Sequence, residues 1–431
     1  MTNADIIKAA FKVWGRELYQ TISLTDLARE LGVSKPALYR HFKDKQALLD
    51  AMYTSYFDDY TAFIKADYER ALTVTNQNEK HYIMVRRIAE YYIRNKDAFI
   101  FSLIQVYGSR EMGAVVEQMT VRGVDIRKMI QFEEKDFAVY PSRLQLSVVS
   151  LTFWIAHFHR YGHKPDEIPS EAQVQQALAS VEERIAYGLG LAGDRLAAID
   201  YGDLERRSAG TVYENTREND LLRAVAGAVA EAGPWNASME MVARRSGLSK
   251  SGLYAHFKSK QDMLAQLFLA EFGRIINYAE LNIKASSVPE EQLYLAIISI
   301  ADYLRSRPEI LVTLDWIRTR RLDLGHYAFP VHLFRSIKNI KLEAFKEGPN
   351  DSADAEVETP ADWIVQWILF LIVNTLIRCP HPAGGGPRMP HFRAGEKYPE
   401  PLRSFVFTEI SNDSFRILFR FIATGLKGFD I

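Results

Sequence analysis

The chain has 431 residues, of which 48% are hydrophobic and 25% charged, and its formal net charge is −1. This composition excludes an intrinsically disordered chain, and the length predicts roughly two to four domains. The charge balance excludes a molecule that attracts phosphate over its whole surface, so any nucleic-acid contact has to gather its positive charge locally.

The lone cysteine, Cys379, cannot form an internal disulfide, which suits a reducing compartment. The polar start Met1–Asp5 predicts no secretory leader. Trp363–Ile377 is the most apolar run, but its 15 residues fall short of the ~20 that a bilayer-spanning helix needs. It reads as a buried helix, and a cytoplasmic protein without membrane contact is expected.

Taken in chain order, the first elements form a small module. Asp5–Gly15 sets Ile6, Ile7, Ala10, Phe11 and Trp14 on one helical stripe. Ser23 is a helix N-cap, with Asp26 three residues on as capping-box partner. The short helix that follows buries Leu27, Ala28 and Leu31, and Gly32 ends it in a tight turn. Ser34 caps the next helix, with Pro36 in the first turn, where a missing N–H is harmless. Leu38 and Phe42 anchor this helix. Two short helices joined by a glycine turn and stacked on a third make a helix-turn-helix.

The rest reads as all-α. Apolar helices are expected over 142–161 and 174–191, and over 361–377 and 414–427. Their density of Phe153, Trp154, Ile155, Trp363, Trp367, Phe370 and Leu371 exceeds one helix face and predicts burial against a partner, as in a four-helix bundle. Residues 192–219, rich in Gly, Asp, Arg and Ser, carry no sustained apolar period and read as a linker. Cys379–Glu409, with its prolines and Gly384–Gly386, reads as a surface insertion.

A shift of 215 residues lays Asp5–Leu49 on Asp220–Leu264 without a gap, and 13 of the 26 positions in Leu24–Leu49 are identical to Met239–Leu264. Ala89–Tyr91 is similar to Ala301–Tyr303, and Ile185–Leu189 to Ile422–Leu426. Internal repetition on this scale predicts two copies of one architecture. The expected domains are a helix-turn-helix over 1–46, a helical regulatory domain over 47–192, a linker over 193–218, a second helix-turn-helix over 219–261 and a second regulatory domain over 262–431. Residues 29–45 hold five basic and two acidic side chains, and residues 244–260 five basic and none acidic, so positive charge gathers at both modules.

Gly32–Leu49 (GVSKPALYRHFKDKQALL) and Gly247–Leu264 (GLSKSGLYAHFKSKQDML) resemble the signature of the tetracycline-repressor (TetR) family. The resemblance implies a DNA-binding regulator with two such units in tandem. Ser34, Tyr39, His41 and Lys45 correspond to its phosphate-contacting positions, and Lys35, Pro36 and Ala37 to base-facing ones. Thr25 and Arg40 join this expected DNA-contacting set. In the second module the set is Ser249, Tyr254, His256 and Lys260, with Lys250, Ser251 and Gly252 facing bases.

The implied partner is double-stranded operator DNA, gripped by an intramolecular pseudo-dimer; assembly of two chains is the other arrangement. The half-sites are expected to share a guanine under Lys35 and Lys250 and to diverge at neighbouring bases. The family's small-molecule release implies a small apolar or aromatic effector. Tyr91, Tyr107, Trp154, Phe158, Tyr303, Trp316, Trp363 and Asn374 are candidates to line its pocket, against plain core packing for each aromatic.

His157, His159 and His163 cluster, with His81 as a fourth candidate. On a helix 157 and 159 face different ways, so no metal site is expected. His381 and His391 fall in the insertion. Without a nucleophile–base motif, a phosphate-cradling glycine loop or a CxxC pair, neither an enzyme nor a cofactor is expected. The competing reading is a ligand-binding or scaffold protein of the same fold with one or both DNA-reading modules inactive.

Overall fold

The structure, a computed structural model, describes residues 2–14, 23–106, 112–129, 143–164, 167–209, 220–307, 310–311, 334–345, 359–377 and 411–429. Among these residues every regular element is helical. Cys379–Glu409, with Cys379, His381 and His391, lies outside them.

In the first module α1 (Asn3–Trp14) carries α2 (Leu24–Glu30) and α3 (Lys35–Tyr39). Ser23 Oγ accepts from Asp26 N at 3.2 Å while Ser23 N donates to Asp26 Oδ2 at 2.9 Å, a closed capping box. Ser34 Oγ accepts from Ala37 N at 3.3 Å to start α3. Between them Gly32 has φ +63°, the left-handed turn that a side chain would strain. Ile6, Ala10, Leu24, Leu27, Ala28, Leu38 and Phe42 form the buried centre. Asp44 then caps α4 (Lys45–Thr73), which leads out of the module into the larger helical part.

The second copy follows the same plan. It comprises α12 (Asp220–Asn236), α13 (Met239–Ser246) and α14 (Lys250–Tyr254), followed by α15 (Lys260–Ile283). Ser238, Ser249 and Ser259 are the N-caps. Gly247 repeats the left-handed turn at φ +69°.

In the first large part α5 (Gln77–Arg94) packs on α4 and is followed by α6 (Lys96–Phe101), α7 (Met112–Thr120), α8 (Arg143–His157) and α9 (Glu171–Tyr187). Arg94 clamps Glu171 through two 2.9 Å hydrogen bonds, fastening α5 to α9. In the second, α16 (Pro289–Ser306) packs on α15, α18 (Pro360–Ile377) and α19 (Asn412–Thr424), with the short α17 (Arg335–Lys338) beside α18.

The helix expected over 142–161 changes character at His157, where Phe158–Gly162 continues as a π-helical turn. That over 174–191 ends at Gly188.

The two halves meet along α8 and α9 on one side and α18 and α19 on the other. Trp154 packs against Trp367 at 5.8 Å between ring centroids, Phe153 against Phe370 at 5.5 Å and His157 against Trp363 at 4.3 Å. Trp367, fully buried, donates its indole N–H to Ser150 Oγ at 3.0 Å. Such a contact satisfies the one polar atom of a large apolar side chain.

Where α9 and α19 end, the two halves touch backbone to backbone. Gly188 (φ +59°) and Gly425 (φ +61°) hold equivalent places in the repeat. A Cβ on Gly188 would lie 2.2 Å from Ile422 O, and one on Gly425 would lie 2.4 Å from Ala186 O. Leu189 N and Leu191 N donate to Ile422 O and Ala423 O at 2.8 and 2.9 Å.

Within the expected linker over 193–218, the first part is helical: α10 (Gly193–Ala197) and α11 (Tyr201–Ala209), packed on the second half. Tyr201 meets Tyr294 at 4.8 Å, and Leu204 is buried. Glu205 accepts from Tyr294 OH at 2.6 Å and from Arg416 Nε and Nη2 at 2.9 Å each. Burial opposes the Glu205 charge, but hydrogen bonds from Arg416, Tyr294 and Asn412 outweigh it and hold its pKa below the usual range. A few apolar residues and ion pairs such as Glu205–Arg416 and Arg195–Glu290 suffice here, so these helices carry little apolar periodicity. Residues 210–219 lie outside the described residues.

Candidate nucleic-acid interface

The serine caps fix where α3 and α14 begin, and Leu38 and Leu253, both fully buried, fix which way each helix faces. Everything on the opposite side is left in solvent. In the first module Thr25, Ser34, Lys35, Pro36, Tyr39 and Arg40 are exposed, Ala37 is half-buried, and Tyr39 keeps 43% of its surface in water. Lys35 Nζ lies 5.8 Å from the centre of the Tyr39 ring, one helical turn away. His41 is half-buried, its Nδ1 2.7 Å from Asn3 Oδ1 on α1. Lys45 is half-buried at the start of α4, and burial pulls its pKa below the usual lysine range, with Asp26 opposing.

In the second module Ser249, Lys250, Ser251, Tyr254, Ala255 and His256 are exposed, with 49% of Tyr254 in solvent. Gly252 and Lys260 are half-buried, and burial lowers the Lys260 pKa as it does that of Lys45. Ser249 Oγ accepts from Gly252 N at 3.0 Å and lies 3.0 Å from Ser251 Oγ, so the Ser251 hydroxyl is already engaged.

Two further residues shape the modules. Asn3 orients His41 from another helix, a contact that no local pattern reveals. Glu240, exposed in the first turn of α13, occupies the place of Thr25 in the repeat; comparing the modules position by position at that turn exposes it.

The candidate effector-lining residues separate into different settings. Tyr91 is buried among Tyr60, Phe63 and Tyr92 at 5.2–5.3 Å, and burial, with a smaller push from Asp59, raises its phenol pKa far above the usual range. Phe158 lies beside His159 and His163 at 5.4 and 5.1 Å. Trp154 and Trp363 both belong to the seam between the halves. Asn374 spends its amide on Phe370 O at 2.8 Å. Tyr303 donates to buried Glu271 at 2.5 Å, and Arg274 and Arg307 also reach that carboxylate. Tyr107 and Trp316 lie outside the described residues.

The histidines also part company. His157 joins the seam, whereas His159 is buried with Nε2 2.8 Å from Tyr92 O and Nδ1 3.2 Å from His163 Nε2. His81 is buried on α5 beside Gln77, its Nε2 3.1 Å from Gln77 Nε2. No group of three or more metal-ligating side chains occurs among the described residues. No helix among them is long and apolar enough to cross a membrane.

Two capped helix-turn-helix modules, each leading through a long helix into a larger helical part, define a duplicated helix-turn-helix protein. The profile of the bacterial regulatory proteins of the tetR family matches at residues 6–52 and again at 221–267. The chain carries the N-terminal domain of the tetR family twice, in tandem.

A fatty acid metabolism regulator protein of Bacillus subtilis (strain 168) is 30% identical over 77 residues, 18% of this chain and 40% of that protein. The chain thus spans under half the length of that relative. The crystal structure of PfmR, a TetR family transcriptional regulator from Thermus thermophilus, is 20% identical with a TM-score of 0.28, covering 41% of this chain and 95% of that one.

Proposed function

We propose that this chain is a transcriptional repressor that grips one operator duplex with both modules. Its halves pair within one polypeptide as a pseudo-dimer, and a small apolar or aromatic effector releases it. One observation carries the reading. The same groups recur in both modules: Ser34, Lys35 and Tyr39 in one and Ser249, Lys250 and Tyr254 in the other are exposed on or at the cap of the reading helix, and His41 and His256 follow its end. Lys45 and Lys260 follow at the start of the next helix. These types donate to phosphate oxygens, and lysine also donates to guanine in the major groove.

Paired helix-turn-helix modules read half-sites ~34–36 Å apart. The seam of α8, α9, α18 and α19 supports pairing inside one chain. Release by an effector has a mechanical route. The 29 residues of α4 extend ~43 Å out of the first module, and about midway along it Tyr56 and Tyr60 pack with Tyr91 and Tyr92, so a change there tilts the reading helix.

The test is fluorescence anisotropy with the duplex upstream of the chain's own gene over a range of salt. The reading requires log affinity to fall steeply with log salt. It also requires Tyr39→Ala and Tyr254→Ala each to weaken binding. Binding that is absent at low salt, or unmoved by either substitution, refutes it. A reporter driven from that duplex distinguishes repression from activation.

A further inference from the structure

The two reading helices are alike along one row of side chains and unlike along the next. Residues four apart on a helix share a face. Lys35 and Tyr39 form one such row, and Lys250 and Tyr254 repeat it without change. The adjacent row is Pro36 and Arg40 in the first module but Ser251 and Ala255 in the second. The helices themselves agree in kind: both begin at a serine cap, and both end at a residue in right-handed helical geometry, Arg40 at φ −70° and Ala255 at φ −69°. All four side chains of the second row are exposed. The backbone therefore presents the same two rows in both modules, and only the chemistry of the second differs.

That difference is large. Arg40 offers a forked guanidinium that matches O6 and N7 of guanine, while Ala255 offers one methyl group. Pro36 is a rigid apolar surface, whereas the Ser251 hydroxyl is engaged by Ser249 at 3.0 Å. The first turn of the preceding helix adds to the contrast, with the Thr25 hydroxyl in one module and the Glu240 carboxylate, which repels phosphate, in the other. The second module nevertheless carries the denser positive charge, five basic and no acidic residues over 244–260 against five and two over 29–45. It has the means to hold a duplex and few means to choose one.

Resting on the DNA-binding reading above, we propose that the operator is built of two unequal half-sites. A guanine is selected under Arg40 in the first. The symmetry-related position under Ala255 in the second is left unselected. The positions under Lys35 and Lys250 are common to both. The first module supplies selectivity, and the second supplies mainly charge.

The experiment selects duplexes from a random pool with the full-length chain at low salt and compares wild type with Arg40→Ala and Ala255→Arg. Both positions are exposed, so neither change opens the core. Wild type should recover a bipartite site with one extra guanine in one half. Arg40→Ala should erase that guanine and lower affinity for the selected site about 5- to 150-fold, the range of one bidentate arginine–guanine contact, while sparing duplexes that lack it. Ala255→Arg should create the guanine preference in the other half.

A symmetric wild-type site overturns the inference and leaves DNA binding standing. So does an Arg40→Ala variant that weakens every duplex equally and lowers the salt slope by about one, the signature of a phosphate contact. A wild-type chain that retains no duplex at low salt overturns both readings.

Discussion

Replacing Gly188 with alanine tests the seam where its tolerance is least. The new Cβ would lie 2.2 Å from Ile422 O and 2.8 Å from Gly425 N, inside the 3.0 Å that real Cβ atoms keep, and both neighbours are backbone. The halves must then separate locally, which breaks the hydrogen bonds of Leu189 N and Leu191 N to the other half. Each is worth ~0.5–1.5 kcal/mol. The Gly188 backbone, at φ +59° and ψ −121°, lies in a region open essentially to glycine alone, and a side chain there adds about 1–3 kcal/mol of strain. Together these predict a loss of about 2–6 kcal/mol. Gly190 is the matched control: its φ is +72°, but a Cβ there meets nothing within 4 Å, so Gly190→Ala carries only the strain. Urea unfolding followed by tryptophan fluorescence is the assay, because Trp154, Trp363 and Trp367 sit at the seam. If Gly188→Ala unfolds at the same urea concentration as Gly190→Ala, the close approach of the two halves is wrong. Gly425→Ala should match Gly188→Ala, since its Cβ meets Ala186 and Tyr187 backbone at 2.4–2.5 Å.

Acid should weaken the fold before the carboxylates titrate. Burial lowers the pKa of His81 and of His159 from 6.5 to about 4, so between those values the unfolded chain takes up protons that the folded chain refuses. Stability is therefore full above about pH 7 and declines toward pH 4, by up to ~1.4 kcal/mol per pH unit for each histidine. Urea midpoints of wild type and the His81→Gln, His159→Gln double variant at pH 7.5 and 5 measure this, and equal pH dependence in the two proteins would rule it out. Glu271→Ala should cost about 3–5 kcal/mol, because it strands Arg274 and Arg307 with little solvent around them. Asp203→Ala, which removes an exposed pairing with Arg207, should cost under ~1 kcal/mol in the same unfolding assay. Comparable losses from the two substitutions would contradict the burial argument.

What was legible in the sequence acts over short distances. Ser23, Ser34, Gly32 and their counterparts cap or turn a helix within three or four residues, so their chemistry is visible in a line of text. The 215-residue repeat then doubled every such reading, and the exposed faces of α3 and α14 followed from the apolar anchors Leu38 and Leu253. What escaped depends on partners far along the chain. Glu205 is satisfied by Arg416, 211 positions away, and without that partner α11 looks like linker. The helix expected over 174–191 runs through Gly188, and only the fold shows Ile422 against it. All the effector-lining candidates but Asn374 are aromatic, and aromatic character cannot separate a seam tryptophan such as Trp363 from a core tyrosine such as Tyr91.

The seam also predicts the working unit. If α8, α9, α18 and α19 found their partners in a second chain, their apolar faces would be uncovered in the isolated molecule. Instead Phe153, Trp154, Trp367 and Leu371 are all buried within one chain, and the Ser150–Trp367 hydrogen bond closes between halves of the same polypeptide. Tethering holds the two surfaces at an effective concentration in the millimolar range, far above the concentration of other chains in a dilute sample. Mass photometry on dilute protein and light scattering on concentrated protein should therefore both give the mass of one chain, 49.3 kDa, and the urea midpoint should not move with protein concentration. A mass near twice that value, with a midpoint that rises as the protein is concentrated, would mean that the halves pair between chains. The two modules facing one duplex would then belong to different molecules.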